Sequence, residues 1–500
     1  MKGRIANIQL RDRVASPQEA AMSIKDGMTV AMGGVTASGY PKVIPDELIK
    51  RKAAGDDFQI NLITGSTVGP EIDGGMGEAN IIHRRTPMND SRALSKLINQ
   101  GKVSYIEQQI HKMPFIIQKD LFGKIDVAVV EAIGITKEGY IIPSASVGTV
   151  PHFVNMADTV IVEINLAQPT ELNGMHDIYL PSLPPHRRPI LLTRVNEKIG
   201  EPFIRVDPEK IKYIVASNVP DTTQAAKGDK QATQQITDHL LNFLELEVAH
   251  RMDGKLLPIQ TGFGNLAADI VHAFADTKFH DISFFCGVLQ EANFDLISAG
   301  RVKSASTSAI QATSRVVELI KRSPEFYRKI VTIRNSDITN CAETISRLGI
   351  VALNSAIEVD IYGNANLSHV MGTQVVNGIG GGANFAQNAS LSILLVPSVT
   401  KGGKISTIVP MVSHNDINEH DIDVIITENG VADLRGKDEV ERAMCIIHNC
   451  AGKEYKEQLD TYLHKAVREC GGHHPQLLSQ AFSWHIRFKE SGTMLEKSNS

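Results

Sequence analysis

Short runs of apolar, often β-branched residues alternate with longer amphipathic stretches along the whole chain, and this alternation limits the possible folds. Continuous apolar runs of strand length are typical of parallel strands buried on both faces by helices. The pattern predicts an α/β fold with mainly parallel sheets flanked by helices. The predicted strands are 29–32, 60–64, 127–131, 159–164, 213–216, 282–285, 393–396 and 424–427. The predicted helices are 17–25, 45–54, 92–100, 233–251, 264–275, 309–321 and 437–449.

A polar stretch with few helix-forming residues lies near the middle of the chain, at 218–231. A chain of 500 residues is too long for one ordinary hydrophobic core, so two or more large domains are expected. We predict an N-terminal α/β domain at residues 1–222 and a C-terminal α/β domain at residues 223–500. Both halves contain an apolar strand that ends in an acidic residue, Glu131 in the first and Glu428 in the second.

Composition narrows the class of protein. Hydrophobic residues make up 42% of the chain and charged residues 21%, as in a globular protein with a sizeable core. The net charge of -5 argues against a general nucleic-acid or anionic-membrane partner. No apolar window approaches the length that crosses a bilayer, and the charged N-terminus does not resemble a signal peptide. The five cysteines match no zinc spacing, which is typical of a reduced, cytoplasmic chain.

A glycine-rich stretch, NGIGGGANF at residues 377–385, carries the strongest local signal for a ligand site. Four of its nine residues are glycine, and apolar strand-like runs stand on both sides. Closely spaced glycines let the backbone approach a ligand and let successive N–H groups converge on it. Such a loop suits a phosphate or a developing oxyanion.

Other short motifs stand in a characteristic order around this loop. They are Gly39-Tyr40-Pro41-Lys42, Thr64-Gly65-Ser66, Ser146-Val147-Gly148, Met175-His176-Asp177, Gln260-Thr261-Gly262-Phe263-Gly264-Asn265, Glu358-Val359-Asp360-Ile361-Tyr362 and Thr427-Glu428-Asn429-Gly430. Taken together, this ordered set resembles the acetyl-CoA hydrolase/transferase family of class I CoA-transferases. The resemblance covers nearly the whole chain.

The resemblance implies two CoA-transferase-type lobes with a substrate cleft between them, and an enzyme that moves CoA from an acyl-CoA to a free carboxylate. The substrates would be acyl-CoA and small carboxylates, with no permanently bound cofactor and no metal. The pair of acids stays open among succinate, acetate, propionate and butyrate. A homodimer is also expected.

Particular residues match the family's site positions. The catalytic positions implied by the resemblance are Asn340 and Glu428, polar residues near the nucleophile. The CoA-contacting positions so implied are Gly262, Phe263, Gly264, Asn265, Leu266, Asn377, Gly381 and Lys401. A helix is predicted directly after the first of these loops, so its N–H groups can hold an anionic or carbonyl oxygen.

The nucleophile position departs from the family pattern. The family places a glutamate in a Thr-Glu-Val-like motif after a strand, and this chain has Cys286-Gly287-Val288. Gly287 therefore stands where the glutamate is expected. Glu291 is about 13 Å away if the chain stays extended, too far to replace it. Cys286 is adjacent, but neighbouring strand residues point to opposite faces, so a buried structural thiol is expected.

Three functions remain open from the sequence. The first is a CoA-transferase or acyl-CoA hydrolase that acts on small carboxylates. The second is a relative that binds CoA or acyl-CoA but has lost transfer because of Gly287. The third is an isomerase-like use of the same lobes on a sugar phosphate, which the motifs along the chain favour least.

Overall fold

The structure is a computed structural model and describes residues 1–222 and 230–496. Its residues group into two compact units. Unit 1 comprises Met1–Ala225, His280–Leu348 and Val376–Gly381, and unit 2 comprises Ala226–Phe279, Gly349–Val375 and Gly382–Ser500. Residues 223–229 of the predicted linker lie outside the described part of the chain. The division into sequence domains at 222/223 stays a prediction.

The first sheet of unit 1 is parallel except at one added strand. Its strands, in spatial order, are Ser104–Tyr105, Ile82–Thr86, Ile60–Thr64, Thr29–Met32, Val127–Ile135, Thr159–Asn165 and Ile211–Ser217. Strand Ile141–Pro143 joins antiparallel beside Val127–Ile135. Every residue of Val127–Ile135 is buried, which is the reason for its largely apolar sequence, with Glu131 as the one charged residue.

A second group of parallel strands completes unit 1. In spatial order it contains Ile282–Leu289, Val302–Ile310, Val331–Arg334 and His176–Asp177. The motif Ser146-Val147-Gly148 contacts this group, since the Val147 N–H donates to the Ser308 carbonyl at 3.0 Å. Residues 146–148 thus lie against strand Val302–Ile310, which is the neighbour of the strand that contains Gly287.

Unit 2 contains a mainly parallel group of strands. The strands, in spatial order, are Gly430–Asp433, Val424–Thr427, Leu391–Leu395, Val351–Asn354 and Ile259–Thr261, and only the first is antiparallel. Smaller pieces are the group Ala365–Asn366, Glu358–Asp360 and Ile408–Val409, and the hairpins His369–Val370 with Gln374–Val375 and Val399–Thr400 with Ile405–Ser406. The carboxyl ends of the parallel strands share one edge.

Helices cover the sheets in both units. The α-helices of unit 1 are Pro17–Ala21, Val43–Ala53, Arg92–Asn99, Met113–Gln118, Val150–Met156, Glu291–Ser298, Ser314–Arg322, Pro324–Ile330, Ser336–Thr339 and Ala342–Leu348. Those of unit 2 are Lys230–Arg251, Asn265–Ala273, Gly382–Asn388, Glu439–Cys450, Lys453–Glu469 and Ser483–Ser491. Among the described residues, no helix combines the length and the apolar character that a membrane span needs.

The α/β prediction is confirmed, and the largest error in a predicted helix boundary is at residue 309. The sequence predicts a helix from residue 309, but Ala309 belongs to strand Val302–Ile310 and pairs with Val288. The helix begins at Ser314, because the Thr313 side chain caps it by accepting from the Val316 N–H at 3.1 Å.

Candidate active site

A cavity of about 140 Å³ lies at the carboxyl edge of the sheet in unit 2. Its lining includes all five residues of the predicted CoA loop, Gly262, Phe263, Gly264, Asn265 and Leu266. Asn354 and Leu395 complete the wall from the ends of the two neighbouring parallel strands. Open parallel sheets bind ligands at this edge, so the predicted loop stands where a ligand is expected.

Two buried polar atoms on this cavity wall have no hydrogen-bond partner among the described residues: Thr261 Oγ1 and Asn354 Nδ2. The other end of the Asn354 amide is used, since its Oδ1 accepts from Gln260 Nε2 at 3.2 Å. An unpaired buried polar group costs free energy unless something satisfies it. A ligand that accepts from Asn354 and bonds the Thr261 hydroxyl would satisfy both groups.

The loop ends at a helix N-terminus. Helix Asn265–Ala273 begins after Gly264, whose φ of +123° is a conformation that side-chain-bearing residues rarely adopt. The first N–H groups of a helix favour negative charge. The sequence analysis did not identify Thr261 and Asn354 as candidate site residues. Each is a polar residue at the end of an otherwise mainly apolar strand, and this position could have indicated them.

Glu428 follows strand Val424–Thr427 at the same edge of the unit 2 sheet. Its carboxylate is half-buried and accepts from both the backbone N–H, at 2.8 Å, and the side-chain hydroxyl of Ser398. The Asn429 amide in turn donates to the Ser398 hydroxyl at 2.9 Å. These contacts fix the position of the Glu428 side chain.

Lys401 lies in the hairpin turn after strand Val399–Thr400. Its side chain is exposed, and the ammonium lies 5.1 Å from the centre of the Phe488 ring. A cation held over an aromatic ring at the surface remains free to meet an anionic ligand. Its predicted contact with a CoA phosphate stays a prediction.

Gly287 lies within strand Ile282–Leu289 of unit 1, between Cys286 and Val288, which pair with Thr307 and Ala309 of the next strand. A Cβ atom built on Gly287 meets no heavy atom within 4 Å, and the backbone is outside the left-handed region. The strand therefore offers an open space at this position that a side chain can enter without strain.

A chain of hydroxyl groups connects the face of Gly287 with Asn340. Ser308 lies between Thr307 and Ala309, the partners of Cys286 and Val288, so it marks the face that a side chain at 287 would share. The Ser308 hydroxyl bonds to the Thr339 hydroxyl, and Thr339 donates to Asn340 Oδ1 at 3.0 Å. All three side chains are buried. Hydroxyl groups thus link the Asn340 side chain to the strand residue that is in register with Gly287.

The neighbouring groups that could substitute for a nucleophile are engaged elsewhere. Glu291 begins the helix after the strand, and its carboxylate accepts from the Thr313 hydroxyl at 2.5 Å. Cys286 is fully buried, and its thiol donates to the Val288 carbonyl at 3.4 Å.

The first part of the glycine-rich loop, up to Gly381, belongs to unit 1 and is packed more tightly than the sequence indicates. Gly378 has no room for a side chain, since a Cβ there would lie 2.3 Å from Met88 Cβ. The Ile379 N–H donates to Glu107 Oε1 at 2.8 Å, so this N–H does not point freely at a ligand. Asn377 is exposed and Gly381 is half-buried. Their predicted contacts with CoA stay predictions.

These features define a class of protein: an α/β chain with mainly parallel sheets, a cavity at the carboxyl edge of the strands and a helix N-terminus beside it. The fold is that of CoA-transferase structures. The family model for the acetyl-CoA hydrolase/transferase N-terminal domain matches residues 2–218, and that for the C-terminal domain matches residues 313–463. The chain belongs to the acetyl-CoA hydrolase/transferase family, as its motifs predict.

The similar proteins include both a CoA-transferase and an acetyl-CoA hydrolase. The chain is 41% identical to the succinyl-CoA:acetate CoA-transferase of Clostridium kluyveri, over 98% of this chain and 92% of that protein. It is 36% identical to the acetyl-CoA hydrolase of Candida glabrata, over 99% of this chain and 97% of that protein. The crystal structure of RipA from Yersinia pestis shares the fold, with a TM-score of 0.72, 20% identity, and coverage of 92% of this chain and 98% of RipA.

Proposed function

We propose that the chain binds short-chain acyl-CoA and cleaves the thioester, by hydrolysis or by CoA transfer to a small carboxylate. The observation that carries this proposal is the cavity lined by Gly262–Leu266, with its two unpaired polar atoms and its helix N-terminus. The relatives named as transferases and hydrolases support the same chemistry.

Gly287 favours hydrolysis over transfer. In covalent transfer, a carboxylate oxygen attacks the thioester carbonyl, the carbon–sulfur bond breaks, and CoA leaves as thiolate. Glycine has no side chain to make this attack. In hydrolysis, water attacks the same carbon, CoA leaves, and the free acid and the CoA thiol share the two protons of the water. Because no other heavy atom lies within 4 Å of the Cβ position of Gly287, we propose that this water occupies the space beside it.

A second candidate function is CoA binding without turnover, and Gly287 is the observation that favours it. The two functions are separated by measuring CoA binding by calorimetry and acetyl-CoA hydrolysis by chromatography on the same sample. Binding with thiol release above the buffer rate supports hydrolysis, whereas binding with no release supports the binding protein. No binding at millimolar CoA would contradict both. No observation favours the isomerase alternative.

The remaining positions take proposed roles. Asn340 and Glu428 are polar groups that orient the acyl carbonyl and the attacking group, while Asn377, Gly381 and Lys401 contact CoA. We further propose a cytoplasmic homodimer without a permanently bound cofactor or metal. The five free cysteines support a reducing compartment. Analytical ultracentrifugation tests the dimer.

Replacing Thr261 by valine should change binding and stability in opposite directions. Valine keeps the shape of threonine but removes the buried hydroxyl that lacks a partner. We therefore expect the free protein to gain up to about 1 kcal/mol in free energy of unfolding. If CoA bonds this hydroxyl, its dissociation constant should rise roughly fivefold to tenfold in the same variant.

Thr277→Val is the matched control, because the Thr277 hydroxyl already donates to the Phe274 carbonyl at 2.9 Å. This control should lose stability and keep its affinity for CoA. Unfolding in urea and titration calorimetry give the two quantities. Unchanged CoA affinity in Thr261→Val would remove the hydroxyl from the proposed site.

A further inference from the structure

Two histidine side chains lie next to each other in unit 2. His369 begins a short hairpin that ends at Val375, and His414 lies in the segment after strand Ile408–Val409. Their ring centres are 4.0 Å apart, with an angle of 36° between the ring planes. A nitrogen of each ring lies within 4.8 Å of a nitrogen of the other. Both side chains are half-buried, so a small ion from solvent can reach them.

The hydrogen bonds of Ser368 assign the proton of the His369 ring. The Ser368 hydroxyl donates to Asp416 Oδ2 at 2.7 Å, so its oxygen accepts from His369 Nδ1, also at 2.7 Å. Nδ1 therefore carries the proton, and Nε2 keeps a lone pair. Burial, and then the neighbouring His414, hold the pKa of His369 below its ordinary value, so the ring is neutral at pH 7. A neutral imidazole is the form that binds a metal ion.

The same carboxylate orients the second ring. His414 Nε2 lies 3.2 Å from Asp416 Oδ1, and an ionised carboxylate can only accept a hydrogen bond. This contact favours a proton on Nε2 and leaves the lone pair of His414 on Nδ1. Asp416 thus orders both imidazoles, one directly and one through Ser368. Metal-binding histidines are usually held in this way, with the nitrogen that does not face the metal donating to a carboxylate or another acceptor.

A second carboxylate holds the backbone on both sides of the pair. Glu358 Oε1 accepts from the N–H and the hydroxyl of Ser413, both at 2.6 Å, and from the Asn366 amide at 3.0 Å. The Asn366 side chain also accepts from the His369 N–H at 3.0 Å and donates to the His369 carbonyl at 2.7 Å. Ligands whose backbone is already fixed lose little conformational freedom when an ion binds.

We propose that His369 and His414 form a binding site for a divalent metal ion that prefers nitrogen ligands, such as Zn²⁺ or Cu²⁺. The ion binds reversibly to Nε2 of His369 and Nδ1 of His414, and water completes its coordination. The last side-chain torsion of histidine is broad, so the rings can open from 36° until both planes contain the ion. Mg²⁺ and Ca²⁺ prefer oxygen ligands and do not suit this pair. The proposal assigns the ion no part in thioester cleavage.

Titration calorimetry with Zn²⁺, on full-length protein first treated with EDTA and without acyl-CoA, tests the site. We expect one tight site in the native protein and none for Mg²⁺ at the same concentration. Asp416→Asn keeps both ligands but changes the group that orients them. It should weaken Zn²⁺ binding by roughly 10–100-fold, and His369→Gln and His414→Gln should each weaken it at least as much.

His420→Gln is the matched control, because the His420 side chain is 73% exposed and lies outside the pair. This variant should bind Zn²⁺ as the native protein does. Electron paramagnetic resonance with one equivalent of Cu²⁺ counts the ligands directly, and we expect nitrogen coupling from two imidazoles in the native protein. A native spectrum with fewer than two nitrogen ligands would overturn the proposal without any variant. Unchanged Zn²⁺ affinity in His369→Gln and His414→Gln, or an equal loss in His420→Gln, would also overturn it.

Discussion

Gly287→Glu should give the chain a covalent CoA-transfer activity that exceeds that of the native protein by about a hundredfold or more. Removing a nucleophile costs enzymes several orders of magnitude in rate, so installing one where the surroundings are intact should recover a large part of this factor. The structure permits the change, because the Cβ position is open and Asn340 is linked to the same face through Ser308 and Thr339. Exchange of labelled acetate into acetyl-CoA measures the gain.

Gly287→Gln is the matched control for this substitution. Glutamine has the size and shape of glutamate but does not act as a carboxylate nucleophile, so any gain through packing alone would appear in both variants. We expect exchange, and a CoA adduct by intact mass, only with glutamate. A glutamate variant that folds, binds CoA and exchanges no faster than the glutamine variant would show that 287 is not the nucleophile position.

Lys42→Met should be the most destabilising of the substitutions considered for this chain. The Lys42 ammonium is buried between Glu131, at 2.6 Å, and Asp221, at 2.8 Å, and the backbone N–H of Lys42 donates to Glu163. Methionine has a similar length but leaves these buried carboxylates without a counter-charge. We expect the free energy of unfolding to fall by about 3–5 kcal/mol at pH 8 in urea titrations.

The loss should shrink as the pH falls. Burial raises the pKa of Glu131 to about 7 even with Lys42 present. The Glu131 carboxyl group therefore binds a proton more tightly in the folded state than in the unfolded chain. Between the pKa of Glu131 in the unfolded chain and about 7, the free energy of unfolding therefore rises as the pH falls. Removing Lys42 raises the pKa of Glu131 further, so this range extends to higher pH. Lys50→Met, which removes a solvent-exposed pair with Glu47, should leave the free energy of unfolding nearly unchanged at both pH values. A Lys42→Met loss that is equal at pH 5.5 and pH 8 would contradict this account.

Much of the fold could be predicted from local sequence, because parallel strands that are buried on both faces consist mostly of consecutive apolar residues. Strands Thr29–Met32, Ile60–Thr64 and Val424–Thr427 have the predicted bounds. Strand Val302–Ile310 was missed because its sequence, VKSASTSAI, is rich in small polar residues. Those hydroxyls are buried and bonded to other parts of unit 1, such as Thr339, a partnership that no local pattern contains.

In the candidate site, too, contacts between residues far apart in sequence could not be predicted from local patterns. Motif order predicted the loop Gly262–Leu266, and the structure places this loop on a cavity. The unpaired atoms of Thr261 and Asn354 could not be predicted, since a missing hydrogen bond depends on every group that packs nearby. In the glycine-rich loop, the sequence indicated free N–H groups, but the Ile379 N–H donates to Glu107. This contact joins residues far apart in sequence, so it could not be predicted from the loop alone.

The central claim is that this chain has a CoA site without a covalent nucleophile at position 287. The most direct test incubates the native protein with acetyl-CoA and labelled acetate, then measures isotope exchange and the intact mass together. We expect no CoA adduct and no exchange into acetyl-CoA, with at most slow release of free CoA. Rapid exchange together with a CoA adduct on a native side chain, such as Glu291, would contradict the claim.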